Sequence, residues 1–329
     1  MDIQIAVVIK ALNEERHIVR SLESALAAVQ SYRGEVVLAD SGSSDATVEI
    51  ASRYPVKIVQ LANIAERSCG VGAQLGFQFI DADYIYVLDG DMELMADFLP
   101  VAVQKLQGDS QLAGVAGLVE ELGGGNYEFE VRKASHDGRL TGRQDALDMG
   151  GLYRVEAIRK VGYLTNRNLH SYEEKELGRR LQAAGYGLER IAVPAIRHYG
   201  KTEQSLRLLL RRWKSRHIDG PGEWMRATMG TDSFWTIVLR FKQLWTIVAG
   251  WLAVLTAILL LPLSWLPLWL ALGAHLLLLL LLAIKRRSLQ QAVMGFIHLQ
   301  FYAAGMVRGL FRKQLSPHQM INAVVLKSE

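Results

Sequence analysis

One cysteine, Cys69, stands among 329 residues, which excludes an internal disulfide or a cysteine-built zinc site and fits a reducing compartment. The N-terminus lacks a basic n-region, and its apolar run Ile3 to Ile9 is only strand length, so no signal peptide is expected. No Walker loop occurs, and Gly70-Val-Gly72 with Gly76 neither fits the dinucleotide spacing nor follows a first strand. Internal repeats are absent, and low complexity is confined to the leucine run at 276–282. Acidic residues thin out along the chain. Residues 1–200 hold 21 Lys+Arg against 28 Asp+Glu, whereas residues 201–329 hold 16 against 5, so a −7 part joins a +11 part. Charge of either sign is missing from the 42 residues between Lys242 and Lys285, which excludes an ordinary soluble enzyme.

A hydrocarbon core needs roughly 20 helical residues to cross. The charge-free run is long enough for two crossings, and Pro262-Leu-Ser-Trp-Leu-Pro267 supplies the turn: two prolines disfavour continued helix and Trp265 suits a headgroup interface. Arg240 and Lys242 precede the first span and Lys285-Arg286-Arg287 follow the second, so both flanks, and the N-terminal part with them, are expected on the cytoplasmic side of an inner, cytoplasmic membrane. Residues 289–312 are apolar around most of a helix, with Gln290, Gln291, His298, Arg308 and Arg312 within about 100° of one another. An interfacial helix is the preferred expectation there, with a third span or a packed helix as alternatives.

The N-terminal part alternates β-branched runs with helical patterns, the signature of a mostly parallel sheet covered by helices. Expected strands are Ile3 to Ile9, Glu35 to Ala39, Val56 to Gln60 and Tyr84 to Leu88, with helices beginning near Asn13, Asp45, Glu66 and Leu94. A hairpin or bulged strand is expected over 113–125, a further strand ending at Gly150-Gly151-Leu-Tyr-Arg154, and a helix from Tyr172 to Ala184. The expected division is 1–235 for an α/β domain, 236–284 for the hairpin and 285–329 for the last helix and a tail.

Ligand-binding residues of such a sheet lie just after the strands. Lys10-Ala-Leu-Asn13-Glu14 follows the first, Asp40-Ser-Gly-Ser-Ser-Asp45 the second and Asp89-Gly-Asp91 the fourth. Asp89 and Asp91 can hold a hard divalent cation and leave positions for phosphate oxygens, though Asp-Gly-Asp also makes turns. Asp40 is suited either to accept a uracil imide N–H or to bond turn amides; Asp45 reads as a helix cap. Arg67 is either a phosphate contact or a solvated charge. Glu173-Glu174-Lys175-Glu176 exceeds what the helix dipole requires and offers a carboxylate base beside Gly150 and Gly151. His198 reads equally as a third metal ligand, a pyrophosphate donor or a structural residue. Arg211-Arg212-Trp213-Lys214-Ser215-Arg216 suits anionic lipid or an anionic substrate.

These segments, with Val7-Val8-Ile9 before Lys10, Thr47 after Asp45 and Leu177 to Leu181 after the glutamates, resemble the successive motifs of family 2 glycosyltransferases with the GT-A fold, over residues 3–200. The resemblance implies a membrane-anchored enzyme, similar to polyprenyl-phosphate or lipid-linked-sugar glycosyltransferases, that inverts configuration while transferring a sugar from a nucleotide sugar. It implies that Asp40 reads the base, that Asn13 and Glu14 line the nucleoside pocket, that Asp89 sits near ribose and diphosphate, and that Asp91 holds Mg2+ or Mn2+; the residues themselves add Lys10, Leu12, Arg67 and Gly90 to the expected nucleotide site and Asp89 and His198 to the expected metal ligands. Glu174, or Glu173, is then the base and Gly150-Gly151 the acceptor-side loop, to which the basic run adds Arg211, Arg212 and Trp213 as expected acceptor contacts. Expected partners are a nucleotide sugar, UDP-linked by this resemblance, a polyprenyl phosphate or a lipid-linked sugar, and anionic lipids; nucleic acid is not among them. Two departures stand out: Lys10 replaces a frequent proline, either to meet phosphate or to pair with Glu14, and Glu174 replaces the usual aspartate. Leu209 stands where processive synthases have the glutamine of Gln-x-x-Arg-Trp, which argues against a chain-extruding channel. The rival expectation is a nucleotide-sugar-binding membrane scaffold without turnover.

Overall fold

The computed structural model describes residues 3–122, 140–148, 150–200 and 203–328; residues 123–125 of the expected hairpin lie outside them. The chain divides into two compact units, residues 1–203 with 315–329, and residues 204–314. The first therefore ends well before residue 235 and includes the tail.

In the first unit β1 (Gln4–Ala11) leads through α1 (Ile18–Val29) to β2 (Arg33–Asp40), α2 (Thr47–Ala51), β3 (Lys57–Leu61) and a 3-10 turn at Ile64–Glu66. Then come α3 (Cys69–Phe77), β4 (Tyr84–Asp89), β5 (Met92–Leu94), α4 (Phe98–Gly108), β6 (Leu112–Glu121), β7 (Gly142–Arg143), β8 (Gly151–Arg154), α5 (Val155–Lys160), α6 (Glu173–Ala183) and β9 (Gly187–His198). The sheet runs β10-β3-β2-β1-β4-β8-β6-β9-β5, where β10 (Ala323–Lys327) is the returning tail, and β7 pairs with β9.

Ile5 to Ile9 are completely buried because helices cover both faces of β1, which explains an unbroken apolar run in place of alternation. On α1, Ile18, Leu22, Ala25 and Val29 form one buried stripe against the first face. Truncating the fully buried Leu22 to alanine would cost about 2–5 kcal/mol. On the other face α3 lies close to the sheet: a Cβ on Gly76 would sit 2.3 Å from Val8 Cγ1, so only glycine permits this approach. Ser68 caps α3, its Oγ accepting from Val71 N at 3.0 Å.

The central strands are parallel, with Ala11 opposite Asp40 and Lys10 opposite Asp89. Three strand ends are thereby aligned on one edge of the sheet. Met92–Leu94 is not the start of a helix as expected but a strand paired antiparallel to β9, with Leu94 opposite Ile196; α4 begins at Phe98. Strand β6 is bulged against β9, with register shifts after Leu112, Ala116 and Leu118.

The second unit comprises α7 (Ser205–Lys214), a 3-10 turn at His217–Asp219, α8 (Gly220–Ala227), α9 (Phe234–Arg240), α10 (Lys242–Leu259), α11 (Leu266–Arg286) and α12 (Leu289–Leu310). Helices α10 and α11 are long and apolar enough to cross a membrane, with mean hydropathies of 1.5 and 2.3. Leu263, Trp265, Trp269 and Ile284 are exposed around them, an apolar surface that water would not favour. Helix α12 is packed within its unit. Buried Asp219 and Glu223 accept from Arg308 and Arg312, so these two members of its polar stripe face protein. A Cβ on Gly222 would meet Met306 O at 1.9 Å, which shows how closely α8 and α12 approach.

Candidate functional site

The ends of β1, β2 and β4 gather most of the expected residues. The loop after β2 is built by Asp40, fully buried, whose Oδ2 accepts from Gly42 N, Ser43 N and Gln60 Nε2, each at 2.9 Å, while Ser43 Oγ donates to Oδ1. Asp40 thus bonds turn amides, the second of its two expected roles. Asn13 joins the β1 loop to this turn: its Oδ1 accepts from Ser44 N at 2.8 Å, its own N–H donates to Ser43 Oγ at 2.9 Å, and its φ is +58°. Glu14 N donates to Thr47 Oγ1 at 2.8 Å, and Leu12 is half-buried between. Asp45 accepts from Thr47 N at 3.0 Å, but the N-cap of α2 is Ala46, so Asp45 makes a turn one residue before the expected cap position.

Arg67 is half-buried and turned to backbone carbonyls. Its Nε and Nη2 donate to the carbonyls of Ser41 and Gly42, both at 2.8 Å, so the guanidinium holds the loop from behind.

Lys10 reaches the end of β4 and the start of α6. Its Nζ lies 2.8 Å from Asp89 Oδ1 and 3.8 Å from Glu173 Oε1. Burial works against the ammonium charge, but Asp89, Glu173 and Glu174 outweigh it and hold the pKa well above the usual value. Gly90 follows, with space for a Cβ closed by Glu14 Cγ at 3.0 Å. Ser21 on α1 fixes this loop by donating to Gly90 O and Met92 O, at 2.9 and 2.6 Å.

Asp91 Oδ2 lies 3.7 Å from His198 Nε2, and His198 Nδ1 is 2.8 Å from Glu121 Oε2. Burial opposes charge on His198, but the carboxylates of Asp91 and Glu121 prevail and push its pKa up to about 9. A carboxylate behind one imidazole nitrogen and a carboxylate facing the other is a donor arrangement suited to a divalent cation, which would displace the proton. Among the described residues no three or more His, Cys, Asp and Glu side chains form a complete metal cage. Asp91 and His198 therefore fit as a partial set that leaves positions for ligand oxygens. Asp89, engaged by Lys10, is not gathered with them.

Helix α6 starts after Tyr172, a non-glycine residue at φ +69°. Glu173 is buried and faces Lys10; Glu174 is half-buried. Burial, opposed by Lys10 and assisted by Asp148, Glu173 and Asp89, pushes the Glu174 carboxyl up to about 8. Gly150 (φ +95°) and Gly151 are buried, and a Cβ on Gly150 would lie 3.1 Å from Tyr86 Oη. That hydroxyl is fully enclosed and has no hydrogen-bond partner among the described residues. Arg190 donates to Gly117 O at 2.7 Å and Asp148 O at 3.0 Å, and Lys175 Nζ lies 3.5 Å from Asp148 Oδ2.

Arg211, Arg212 and Trp213 belong to the second unit. Arg212 donates to Tyr302 Oη at 3.0 Å, Trp213 packs under Arg308 at 4.2 Å, and Arg211 is exposed.

Sequence reasoning missed Ser21, Glu121, Gln60 and Tyr86. Ser21 alone carried a signal, a polar residue on an otherwise apolar helical stripe.

Residues 6–167 match the family model Glycosyl transferase family 2, and residues 149–284 match Glycosyl transferase family group 2. A dolichol-phosphate mannosyltransferase of Pyrococcus furiosus is 24% identical over 144 residues, which are 43% of this chain and 40% of that protein. The chain thus spans well under half of that relative's length. A crystal structure of GalNAc-T7 with UDP, GalNAc and Mn2+ superposes with a TM-score of 0.50 at 16% identity, over 61% of this chain and 44% of that one. The 1–349 fragment of S. aureus TarS superposes at a TM-score of 0.49 and 13% identity, over 98% and 97% of the two chains. The fold of the first unit is a mixed α/β sheet of the GT-A kind.

Proposed function

We propose, from the premise that the chain belongs to glycosyl transferase family 2, that it transfers a sugar from a nucleotide sugar, with inversion, to a membrane-embedded lipid-linked acceptor at the cytoplasmic face. The observation that carries this reading is the division of labour between two neighbouring glutamates. Glu173 is turned to Lys10, whereas Glu174 has a pKa near working pH, which suits a general base.

In this reading the loops of Asn13 and Asp40 hold the nucleoside, and Lys10 balances charge beside the diphosphate. Asp91 and His198 would hold Mg2+ or Mn2+, which would offset the charge gathering on the departing nucleoside diphosphate. Glu174 takes the proton of the acceptor hydroxyl as that oxygen bonds to the anomeric carbon. The bond from that carbon to the diphosphate oxygen breaks on the opposite side. UDP is the nucleotide chosen for the test because the GalNAc-T7 structure of the same fold holds UDP with Mn2+. The apolar helices α10 and α11 support a membrane-anchored, multi-pass chain.

A second acceptor reading rests on the Pyrococcus furiosus relative, whose name denotes transfer to a lipid phosphate. A phosphate acceptor is already ionised and needs no base. Radiolabelled UDP-sugars offered with polyprenyl phosphate or with a lipid-linked sugar, followed by thin-layer chromatography, separate the two. Loss of transfer in Glu174→Gln with the hydroxyl acceptor supports the first reading. Undiminished transfer to phosphate in the same variant supports the second, and nucleotide binding with no diphosphate release from any donor would sink both.

A further inference from the structure

We propose that residues 315–328 act as a strap that holds the nucleotide loop and the base helix in working position, through Arg167 and His318 as positioning residues. The functional part of this inference rests on the donor and base assignments above. The chain leaves the first unit at Glu203 and re-enters it at Leu315. On return it is gripped mostly through its backbone. Asn168 Nδ2 donates to Leu315 O while Leu315 N donates to Asn168 Oδ1, both at 2.8 Å. Gln78 repeats the device with Ile321, at 3.0 and 2.7 Å. Ala62 N donates to Asn322 O at 3.0 Å, and β10 then pairs antiparallel with β3.

The first branch of the strap runs to the nucleotide loop. Arg167, buried, donates from Nη1 to Gln319 O at 2.9 Å and Met320 O at 3.2 Å, and its Nη2 pairs with Glu66. Glu66 ends the 3-10 turn, and its neighbour Arg67 holds the carbonyls of Ser41 and Gly42. A buried guanidinium needs every partner it has. Without the tail, Arg167 loses two acceptors, Glu66 loses a fixed partner, and Arg67 holds the loop from a loosened base.

The second branch reaches α6. His318 meets Tyr163 edge-on, with ring centroids 5.2 Å apart, and occupies the place of a side chain at Gly162, where a Cβ would lie 2.5 Å from His318 Cε1. Tyr163 Oη donates to Glu176 Oε1 at 2.8 Å, and Arg180 lies over the same ring at 3.7 Å. Glu176 shares the first turn of α6 with Glu173 and Glu174. The tail therefore bears on one element behind the donor loop and on one behind the base. A strand that only covered the β3 edge would need neither contact.

The test uses the full-length protein in nanodiscs, with UDP and Mn2+ as probes in calorimetry and with transfer kinetics in parallel. Arg167→Gln should weaken UDP binding about tenfold and leave kcat at saturating donor near wild type, the loss expected for charge-assisted hydrogen bonds. Arg167→Lys, which keeps charge against Glu66, should fall between. His318→Ala should leave UDP affinity within about twofold and lower kcat severalfold, because its contact bears on α6 alone. A chain ending at Gln314 should show both losses, and a peptide of residues 315–328 should restore them. UDP affinity unchanged in folded Arg167→Gln, or equal loss of both parameters in both point variants, would overturn the proposal. Should the shortened chain not fold, the point variants decide. If the wild type binds no UDP, the donor reading fails separately. Hydrogen exchange at Ser41 and Gly42 then decides: faster in Arg167→Gln supports the strap, and unchanged overturns it.

Discussion

The Lys10 ammonium lies 2.8 Å from Asp89 Oδ1 because parallel pairing sets these two residues opposite each other at the ends of β1 and β4. The same ammonium is 3.8 Å from Glu173, so one cation serves two carboxylates. Removing it in Lys10→Met leaves both without compensation. The expected loss is about 2 kcal/mol, below the range for a fully buried pair because Asp89 is partly solvated. Urea denaturation of the purified variant measures it. The same variant should need a higher pH for transfer, since Lys10 opposes the upward shift of Glu174.

Transfer to a hydroxyl acceptor should rise with pH through about 8 as Glu174 loses its proton. The sign for stability is opposite. Below the unfolded carboxyl value Glu174 is neutral in both states, and its contribution is fully present; ionisation inside the fold is resisted, so that contribution is lost as pH rises through about 8. Glu174→Gln should flatten this limb of the stability profile and lower kcat at least about a hundredfold. A pH series of rates and urea midpoints on both proteins checks the two signs together. A wild-type rate independent of pH from 6.5 to about 9 would remove Glu174 from the role of base.

Much of the site was legible because parallel strands end in loops on one edge. Lys10, Asn13, Asp40 and Asp89 could be placed near one another from the parallel pairing of β1, β2 and β4, whereas Glu173 on α6 could not. Their partners were less accessible. That Lys10 meets Asp89 depended on register, and that Arg67 holds backbone carbonyls depended on the turn at 64–66. Glu121 lies 77 positions before His198, at a bulged strand whose pairing the sequence does not mark. The tail was read only as a tail, since its grip is made by Asn168, Gln78 and Arg167 on backbone groups, which carry no side-chain pattern. The stripe on residues 289–312 was correct in periodicity, but Arg308 and Arg312 turn to buried acids.

Asp91 and His198 make a metal prediction that does not depend on turnover. With Mn2+ and UDP each far above its dissociation constant, the wild type should gain melting temperature, by an amount equivalent to about 2.7 kcal/mol at a hundredfold excess of one ligand. Asp91→Asn and His198→Ala should lose the Mn2+-dependent part. Glu121→Gln, which removes the carboxylate behind His198 Nδ1, should weaken Mn2+ about tenfold or more. Differential scanning fluorimetry across a Mn2+ titration distinguishes the three variants. An Mn2+ response equal to wild type in Asp91→Asn would rule out this half-site.

Gly150 and Tyr86 can be tested as a pair, because a side chain at the first would meet the hydroxyl of the second. Gly150 has φ +95°, and a Cβ there would come within 3.1 Å of the enclosed Tyr86 hydroxyl. Gly150→Ala should therefore lose about 1–2 kcal/mol through left-handed strain and crowding together. Tyr86→Phe acts in the opposite direction. It removes a buried hydroxyl that has no partner among the described residues, so the variant should be about 1 kcal/mol more stable in urea. In the double variant the alanine loses the hydroxyl it crowds, and part of the Gly150→Ala cost should be recovered. The interaction energy from this cycle is expected to be about 0.5 kcal/mol or more. Strict additivity would mean that the strain lies wholly in the Gly150 backbone and that the Tyr86 hydroxyl takes no part in it.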